Sequence, residues 1–308
     1  MQTERRLAAL LGLTGGIVAI SWSAIFVRWA RMPGVSSAFY RMAIAALVLW
    51  PLVPFFRKSA QGLGARTLWI AAAGGAFFAG DVGFWNVAVM HTSAGNATFL
   101  SNIAPLFVGL FTWILTRKLP SGRFWAALLV SLMGSCLIVA GDLRHALSRS
   151  YADGLAVLAA VCFALFLVIT GRLREKVDAA MLLVLSTTAS AITLLIWAVG
   201  AHISLAVPQA GSWWALLGLG LFCQVGGYFG LTYALGHLPA TVTSILWLAI
   251  APMTAVFAWL IFGERMSAME IVGGALVLVG VWIVGRREKA PPAGDSVAAE
   301  AIPPVAQI

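Results

Sequence analysis

Two ionisable side chains of opposite sign, Arg41 and Asp81, lie within long apolar stretches of the sequence. Charged groups are costly inside a bilayer, and those that occur there usually face the protein interior and mark a substrate or ion path. At a helical rise of about 1.5 Å per residue, their depths below one membrane face differ by about 5 Å, which is within an arginine's reach. The pair is a candidate site for the carboxylate and amine of a zwitterion, and Asp81 is also a candidate carrier of a coupling proton. The alternatives are a structural pair, or an Arg41 side chain that extends to the interface.

Aromatic, hydroxyl and amide residues within the apolar stretches complete the candidate substrate cavity. They are Trp22, Phe78, Trp85, Thr98, Asn102, Gln224, Tyr228, Ser244 and Trp247. Helical spacing places Phe78, Asp81 and Trp85 on one face, and Gln224 and Tyr228 on another. Lipid-facing surfaces should carry neither charges nor amides, so these faces point either to a cavity or to neighbouring helices.

Two mid-helix prolines, Pro105 and Pro252, interrupt the hydrogen-bond ladder of their helices. They are candidate hinges, and the alternative is a static kink that neighbouring helices satisfy. Two glycine pairs have the four-residue spacing of close helix packing: Gly12 with Gly16, and Gly226 with Gly230.

The sequence carries no arrangement typical of an enzyme, a metal site or a nucleotide-binding site. It has no G-x-S-x-G or H-E-x-x-H motif and no paired carboxylates within an apolar stretch. The three cysteines lie within apolar stretches, and the four histidines lie at helix ends or in loops without metal-ligand spacing. We predict no catalytic residue, no metal, no cofactor and no ATP-driven transport, which leaves facilitated diffusion, exchange and proton coupling open. An intramembrane enzyme is the alternative from a different class.

Composition predicts that a bundle of membrane-spanning helices positions these residues. The chain has 308 residues, of which 61% are hydrophobic and 10% are charged, whereas a soluble domain is about half apolar and a quarter charged. A bilayer-spanning helix needs about 20 apolar residues. The stretches of that length lie near residues 7–30, 36–56, 67–90, 94–116, 122–140, 152–171, 179–199, 213–235, 240–262 and 267–285.

The distribution of basic residues predicts how the bundle is oriented. The net charge is +9, yet the sequence has no basic run interleaved with exposed aromatic residues, so nucleic-acid binding is not expected. Of the 20 Lys and Arg residues, 14 fall on the side of the N-terminus, five fall on the opposite side, and Arg41 lies within a span. Because cytoplasmic segments are rich in Lys and Arg, we expect both termini in the cytoplasm.

The sequence also repeats internally. At a constant offset of 146 residues, identical residues recur in order: Ala88 and Ala234, His91 and His237, Ala94 and Ala240, Trp113 and Trp259, Ser121 and Ser267, and Gly134 and Gly280. Five spans per half is an odd number, so the second half must cross the membrane in the opposite sense to the first. Inverted repeats are typical of transporters whose substrate site lies near the bilayer midplane, where the halves meet.

Helices are predicted to begin at Ser93-Ala94 and Pro239-Ala240, and each contains an Ala-Pro pair, Ala104-Pro105 or Ala251-Pro252. The second half adds the triplet Gly263-Glu264-Arg265, and the second helix carries Arg41. In these features the chain resembles the drug/metabolite transporter superfamily in its EamA-type branch of ten-helix proteins. The first half has Thr116-Arg117-Lys118 where the second has its Gly-Glu pair, so one acidic position is absent. The resemblance covers nearly all of the chain. It divides the chain into a cytoplasmic segment 1–6 and two repeats, 7–141 and 152–286. The cytoplasmic tail 287–308 is rich in Pro and Ala, so we expect it to be disordered.

The resemblance implies an all-α integral membrane protein in a bacterial-type inner membrane, with ten transmembrane helices from two inverted five-helix repeats around a central cavity. It implies export of small metabolites, above all amino acids including aromatic ones. The two five-helix halves lead us to expect alternating access, in which they rock around a central site. The expected partners are this substrate and the lipid bilayer, and the chain is expected to be a monomer or a homodimer. The alternative within the superfamily is a carrier of drugs or of other metabolites, such as those resembling nucleotide sugars.

Overall fold

The computed structural model describes residues 2–56, 63–91, 100–143, 150–263 and 267–285. The regular secondary structure of these residues is helical. Eight helical segments are long and apolar enough to cross a membrane, and two shorter apolar helices complete a set of ten spans. The ten spans correspond to the ten predicted apolar stretches.

Helix bounds define five spans in each half of the chain. In the first half they are Gln2–Ser21 with Ser23–Ala30 (first span), Gly34–Leu49 with the 3-10 helix Trp50–Phe56 (second), Ala65–His91 (third), Ala104–Thr116 (fourth) and Gly122–Leu143 (fifth). In the second half they are Ser150–Leu173 (sixth), Ala179–Gly200 (seventh), Ser212–Leu217 with Gly218–Gly227 and Tyr228–Leu235 (eighth), Ala240–Trp247 with Ile250–Phe262 (ninth) and Ala268–Gly285 (tenth). The first helix includes most of segment 1–6, while the predicted tail 287–308 and the turn at 93–94 lie outside the described residues.

Large apolar side chains cover the outer surface of the bundle. Leu11, Leu47, Trp69, Ile196 and Trp282 are all exposed. In water such a surface would cause aggregation, whereas lipid tails solvate it. This surface therefore fits a bundle that is surrounded by lipid.

Three spans are interrupted for reasons that the sequence explains. The Ser21 hydroxyl donates to the Ile17 carbonyl at 2.7 Å, a local bond that bends helices, and the helix resumes at Ser23. In the fourth and ninth spans, a turn immediately precedes the helix that contains Pro105 or Pro252. Each proline lacks an N–H and crowds the carbonyl four residues earlier, so the preceding turn cannot stay regular.

The middle of the eighth span is a π-helix of ten residues. Glycines allow the backbone of the eighth span to lie directly against the first span, where Gly227 meets Gly16 and Gly230 meets Gly12. The prediction that Gly226 makes this contact was wrong. The wider turn of a π-helix shifts the register, so that Gly226 points away and Gly227 takes its place.

Contacts between the spans repeat in pairs that reflect the two halves. The third span packs on the sixth as the eighth packs on the first, and the fourth packs on the sixth as the ninth packs on the first. At the interface of the fifth and tenth spans, a Cβ on Gly134 would lie 2.5 Å from the Gly273 carbonyl oxygen, and one on Gly280 would lie 2.7 Å from that of Ala127. Under the offset of 146, Gly134 corresponds to Gly280 and Ala127 to Gly273, so the two contacts are equivalent. The fold is thus built from two inverted five-helix repeats.

Candidate substrate cavity

A cavity of about 300 Å³ lies between the two halves. Its walls come from the first six spans and from the eighth and ninth. In the first three spans the lining residues fall between positions 20 and 27, 37 and 41, and 81 and 86. All of these positions are in the half of the span that is farther from the side of the N-terminus. The cavity therefore extends from the middle of the bundle toward the side opposite the N-terminus.

Most of the candidate residues from the sequence meet at this cavity. Those that line it are Arg41, Asp81, Trp85, Asn102, Pro105, Tyr228, Ser244 and Trp247. Phe78 and Gln224 lie behind the wall, where they contact residues that line it. Trp22 sits at the break in the first span, and its ring packs 5.2 Å from that of Phe257 instead of facing the cavity. Pro252 is not a lining residue, and Thr98 lies outside the described residues.

Arg41 is only 7% exposed and is held on several sides. Its Nε donates to Gln224 Oε1 at 3.0 Å, and its Nη1 donates to Ser23 Oγ at 3.2 Å. The guanidinium carbon lies 5.2 Å from the centre of the Tyr228 ring, which is a favourable cation–π distance. Among the described residues, Nη2 has no hydrogen-bond partner although it is buried. Buried donors nearly always have partners, so this nitrogen is poised to bind an acceptor in the cavity.

Asp81 lines the same cavity, and its carboxylate is not among the acceptors of the Arg41 hydrogen bonds. Arg41 instead donates to neutral groups of the first and eighth spans. The two side chains thus line one cavity without sharing these hydrogen bonds. A guanidinium group and a carboxyl group are therefore both available to a ligand.

Aromatic rings form one end of the cavity, which we call the aromatic floor: Phe78, Phe163, Phe166, Tyr228 and Trp247. Phe163, Tyr228 and Trp247 line the cavity, and the Tyr228 and Trp247 rings are 5.5 Å apart. Phe78 supports them from behind, with its ring 4.5 Å from that of Tyr228 and 4.6 Å from that of Phe166. Phe78 is 1% exposed, so its contribution is to hold the floor in place.

Several polar lining residues were not among the sequence candidates, and Asn86 is the clearest example. It is buried, lines the cavity, and donates from Nδ2 to the Gly34 carbonyl at 2.9 Å, which ties the third span to the second. An amide inside an apolar span was the available signal. Asn86 lies off the helical stripe that contains Asp81 and Trp85.

The bundle is tightly packed on the side of the N-terminus. Leu231 and Leu235 of the eighth span are buried there. Arg174, just beyond the sixth span, donates from Nε to the Thr232 carbonyl at 2.9 Å and so joins the sixth span to the eighth. Burial lowers the pKa of the Arg174 guanidinium from its usual value, and the Asp178 carboxylate opposes this effect. The arginine thus supplies positive charge at the C-terminal end of the eighth span, where carbonyls are unpaired.

Within the ranges that the structure describes, His, Cys, Asp and Glu side chains do not gather in groups of three that could hold a metal ion. The wall of the cavity offers hydrogen-bonding groups, Arg41, Asp81 and aromatic rings.

Comparison with known proteins agrees with the fold and the cavity. Residues 6–140 and 150–286 each match the EamA-like transporter family. An uncharacterized transporter of Archaeoglobus fulgidus is 26% identical over 91% of this chain and 97% of its own. The pseudopaline exporter CntI of Pseudomonas aeruginosa is 26% identical over 84% of this chain and 89% of its own. A solved crystal structure shares the fold with a TM-score of 0.75 at 18% identity, over 91% of this chain and 98% of that one. Because the family matches both five-helix halves and these relatives are named as transporters, the chain belongs to the EamA-like transporter family and is a membrane transporter, not an enzyme.

Proposed function

We propose that this transporter exports small zwitterionic metabolites, above all amino acids including aromatic ones. The observation that carries the proposal is the buried, unpartnered Nη2 of Arg41 in the same cavity as the Asp81 carboxylate. A substrate carboxylate would accept from Nη2 in a charge-assisted hydrogen bond, and a substrate ammonium group would pair with Asp81. An aromatic side chain would pack on Tyr228 and Trp247.

The size and charge of the cavity favour an amino acid over a larger or purely cationic drug. A volume of about 300 Å³ is at the lower end of small-molecule sites, which suits a single compact ligand. Arg41 and Asp81 together carry no net charge, so a lipophilic cation would leave the arginine unpaired and repelled. A zwitterion matches both groups.

Alternating access is the mechanism that this geometry supports. With both termini in the cytoplasm of an inner membrane, the cavity lies on the outer side and the packing around Arg174 closes the inner side. The broken first and ninth spans are joined across the two halves, because the Thr254 hydroxyl donates to the Ser21 carbonyl at 3.2 Å. This hydrogen bond lies near the breaks of the two spans, so rocking of the halves would bend each span there. Export is the direction in the name of the Pseudomonas relative.

Uptake by purified protein in proteoliposomes tests the function. We expect saturable uptake of several labelled amino acids, with competition by aromatic ones, and no uptake by protein-free liposomes. Arg41→Ala should abolish this uptake, whereas Arg66→Ala should not, because Arg66 is exposed at the start of the third span. No uptake above the liposome control by folded, inserted protein would refute the amino-acid assignment. The substrate would then belong to another metabolite class.

A further inference from the structure

We infer that Gln224 is a positioning residue that aims the Arg41 guanidinium at the substrate carboxylate while leaving the arginine's charge unneutralised. This inference rests on the proposed role of Arg41 in binding that carboxylate. Gln224 is 0% exposed and lies behind the cavity wall, so it acts through Arg41 and not by touching the substrate.

The orientation of the Gln224 amide is set by its two neighbours. Arg41 Nε can only donate a hydrogen bond, so the amide oxygen must face it, and the two atoms are 3.0 Å apart. The amide nitrogen then needs an acceptor, which the Thr187 hydroxyl supplies at 3.4 Å. A flipped amide would place two donors face to face. Thr187 therefore fixes Gln224, which in turn fixes Arg41.

A fixed Nε determines where the rest of the guanidinium points. The group is planar and its donors form a rigid fork, so an anchor at Nε limits rotation of the whole plane. Ser23 holds Nη1, and the Tyr228 ring lies against the guanidinium. With these contacts made, Nη2 is the nitrogen that remains for a ligand.

The neutrality of Gln224 matters as much as its hydrogen bond. A carboxylate at this position would pair with Arg41 and compete with the substrate for its charge. An apolar residue would leave Nε unpaired and allow the guanidinium to turn toward Asp81. A glutamine avoids both outcomes. Under the offset of 146, Thr187 is the counterpart of Arg41, so the two equivalent positions of the repeats meet at one amide.

Ligand binding to purified variants tests the inference, with tryptophan and tryptamine as a pair that differs only in the carboxylate. Apparent affinities come from the ligand-dependent rise in unfolding temperature, which does not require transport. We expect Gln224→Glu and Gln224→Met to weaken tryptophan binding about tenfold or more, as for loss of a hydrogen bond to a charged group. The affinity for tryptamine should change less than about twofold in Gln224→Met. In Gln224→Glu the affinity for tryptamine should rise. Thr187→Val removes only the second link, and it should weaken tryptophan binding in the same sense by a smaller factor.

Equal weakening of both ligands, or unchanged tryptophan binding, would overturn the positioning role. Arg41→Ala separates this failure from that of the proposed function. If Arg41→Ala lowers the preference for tryptophan over tryptamine and the Gln224 variants do not, only the positioning role fails. If Arg41→Ala leaves that preference unchanged, or if the wild type binds neither ligand, the carboxylate site itself is wrong and the inference falls with it.

Discussion

Replacement of Asp81 by Asn tests the other end of the proposed zwitterion site. The substitution removes a negative charge from the cavity wall and leaves the side chain's size almost unchanged. In the proposed complex, Asp81 pairs with the substrate ammonium group. We therefore expect Asp81→Asn to impair transport of amino acids much more than transport of the corresponding desamino acids.

The structure sets the size of this effect. A hydrogen bond to a charged group contributes about 1.5–3 kcal/mol, and each 1.4 kcal/mol is a factor of about ten, so the range is about 10- to 150-fold. Asp81 does not accept the Arg41 hydrogen bonds, so its oxygens are not occupied by that side chain. It is, however, only partly buried, and it remains attracted to Arg41, and both features weaken the pairing. The lower part of the range, about 10- to 30-fold in kcat/KM, is the expected result.

The assay compares uptake of tryptophan with uptake of 3-indolepropionate, which lacks the amine. Desamino substrate uptake should be unchanged or raised, because the repulsion between Asp81 and its carboxylate is gone. Asn102→Ala is the matched control: Asn102 lines the cavity without a charge, so its loss should affect both substrates alike. Wild-type tryptophan transport by folded Asp81→Asn protein, or an equal loss for both substrates, would refute the role of Asp81.

Three further changes test the packing, a hinge and the exposed side of the cavity. Gly280→Ala places a methyl group against the fifth span and should lower the free energy of unfolding by about 1–3 kcal/mol, measured through the unfolding temperature in detergent. Gly285→Ala is the control, because its methyl group would meet open space and should not lower stability. Equal effects of the two substitutions would contradict the packing argument. Pro252→Ala supplies an N–H for the Leu248 carbonyl, so the ninth span should become straighter. Transport should become slower, while the unfolding temperature stays equal or rises. Transport at the wild-type rate would exclude a hinge at Pro252. In a background without native cysteines, Ala24→Cys should react with an impermeant thiol reagent added on the side opposite the N-terminus, more slowly with substrate present, because Ala24 is an exposed residue of the cavity wall. Reaction only from the N-terminal side would contradict the direction in which the cavity extends.

The sequence was sufficient to predict the ten spans, the inverted repeat and much of the cavity wall. Charged groups are rare and costly inside apolar spans, so Arg41 and Asp81 stood out in the sequence. The π-helix could not be foreseen, because spacing arguments assume 3.6 residues per turn. Nor could sequence separate a residue on the wall from one directly behind it, which is the difference between Tyr228 and Gln224.

The two halves of this protein share a backbone fold, but their ligand-binding side chains differ. Under the offset of 146, Arg41 corresponds to Thr187 and Asp81 to Gly227, so both charges belong to the first half. Gln224, which holds the arginine, belongs to the second. A site divided in this way is complete only when the halves meet as they do here. In the proposed cycle, a movement that separates the second span from the eighth would release Arg41 from its anchor and weaken its hold on the substrate carboxylate. A ligand that binds one arrangement better than the other shifts the balance between them, and this is the coupling that transport requires.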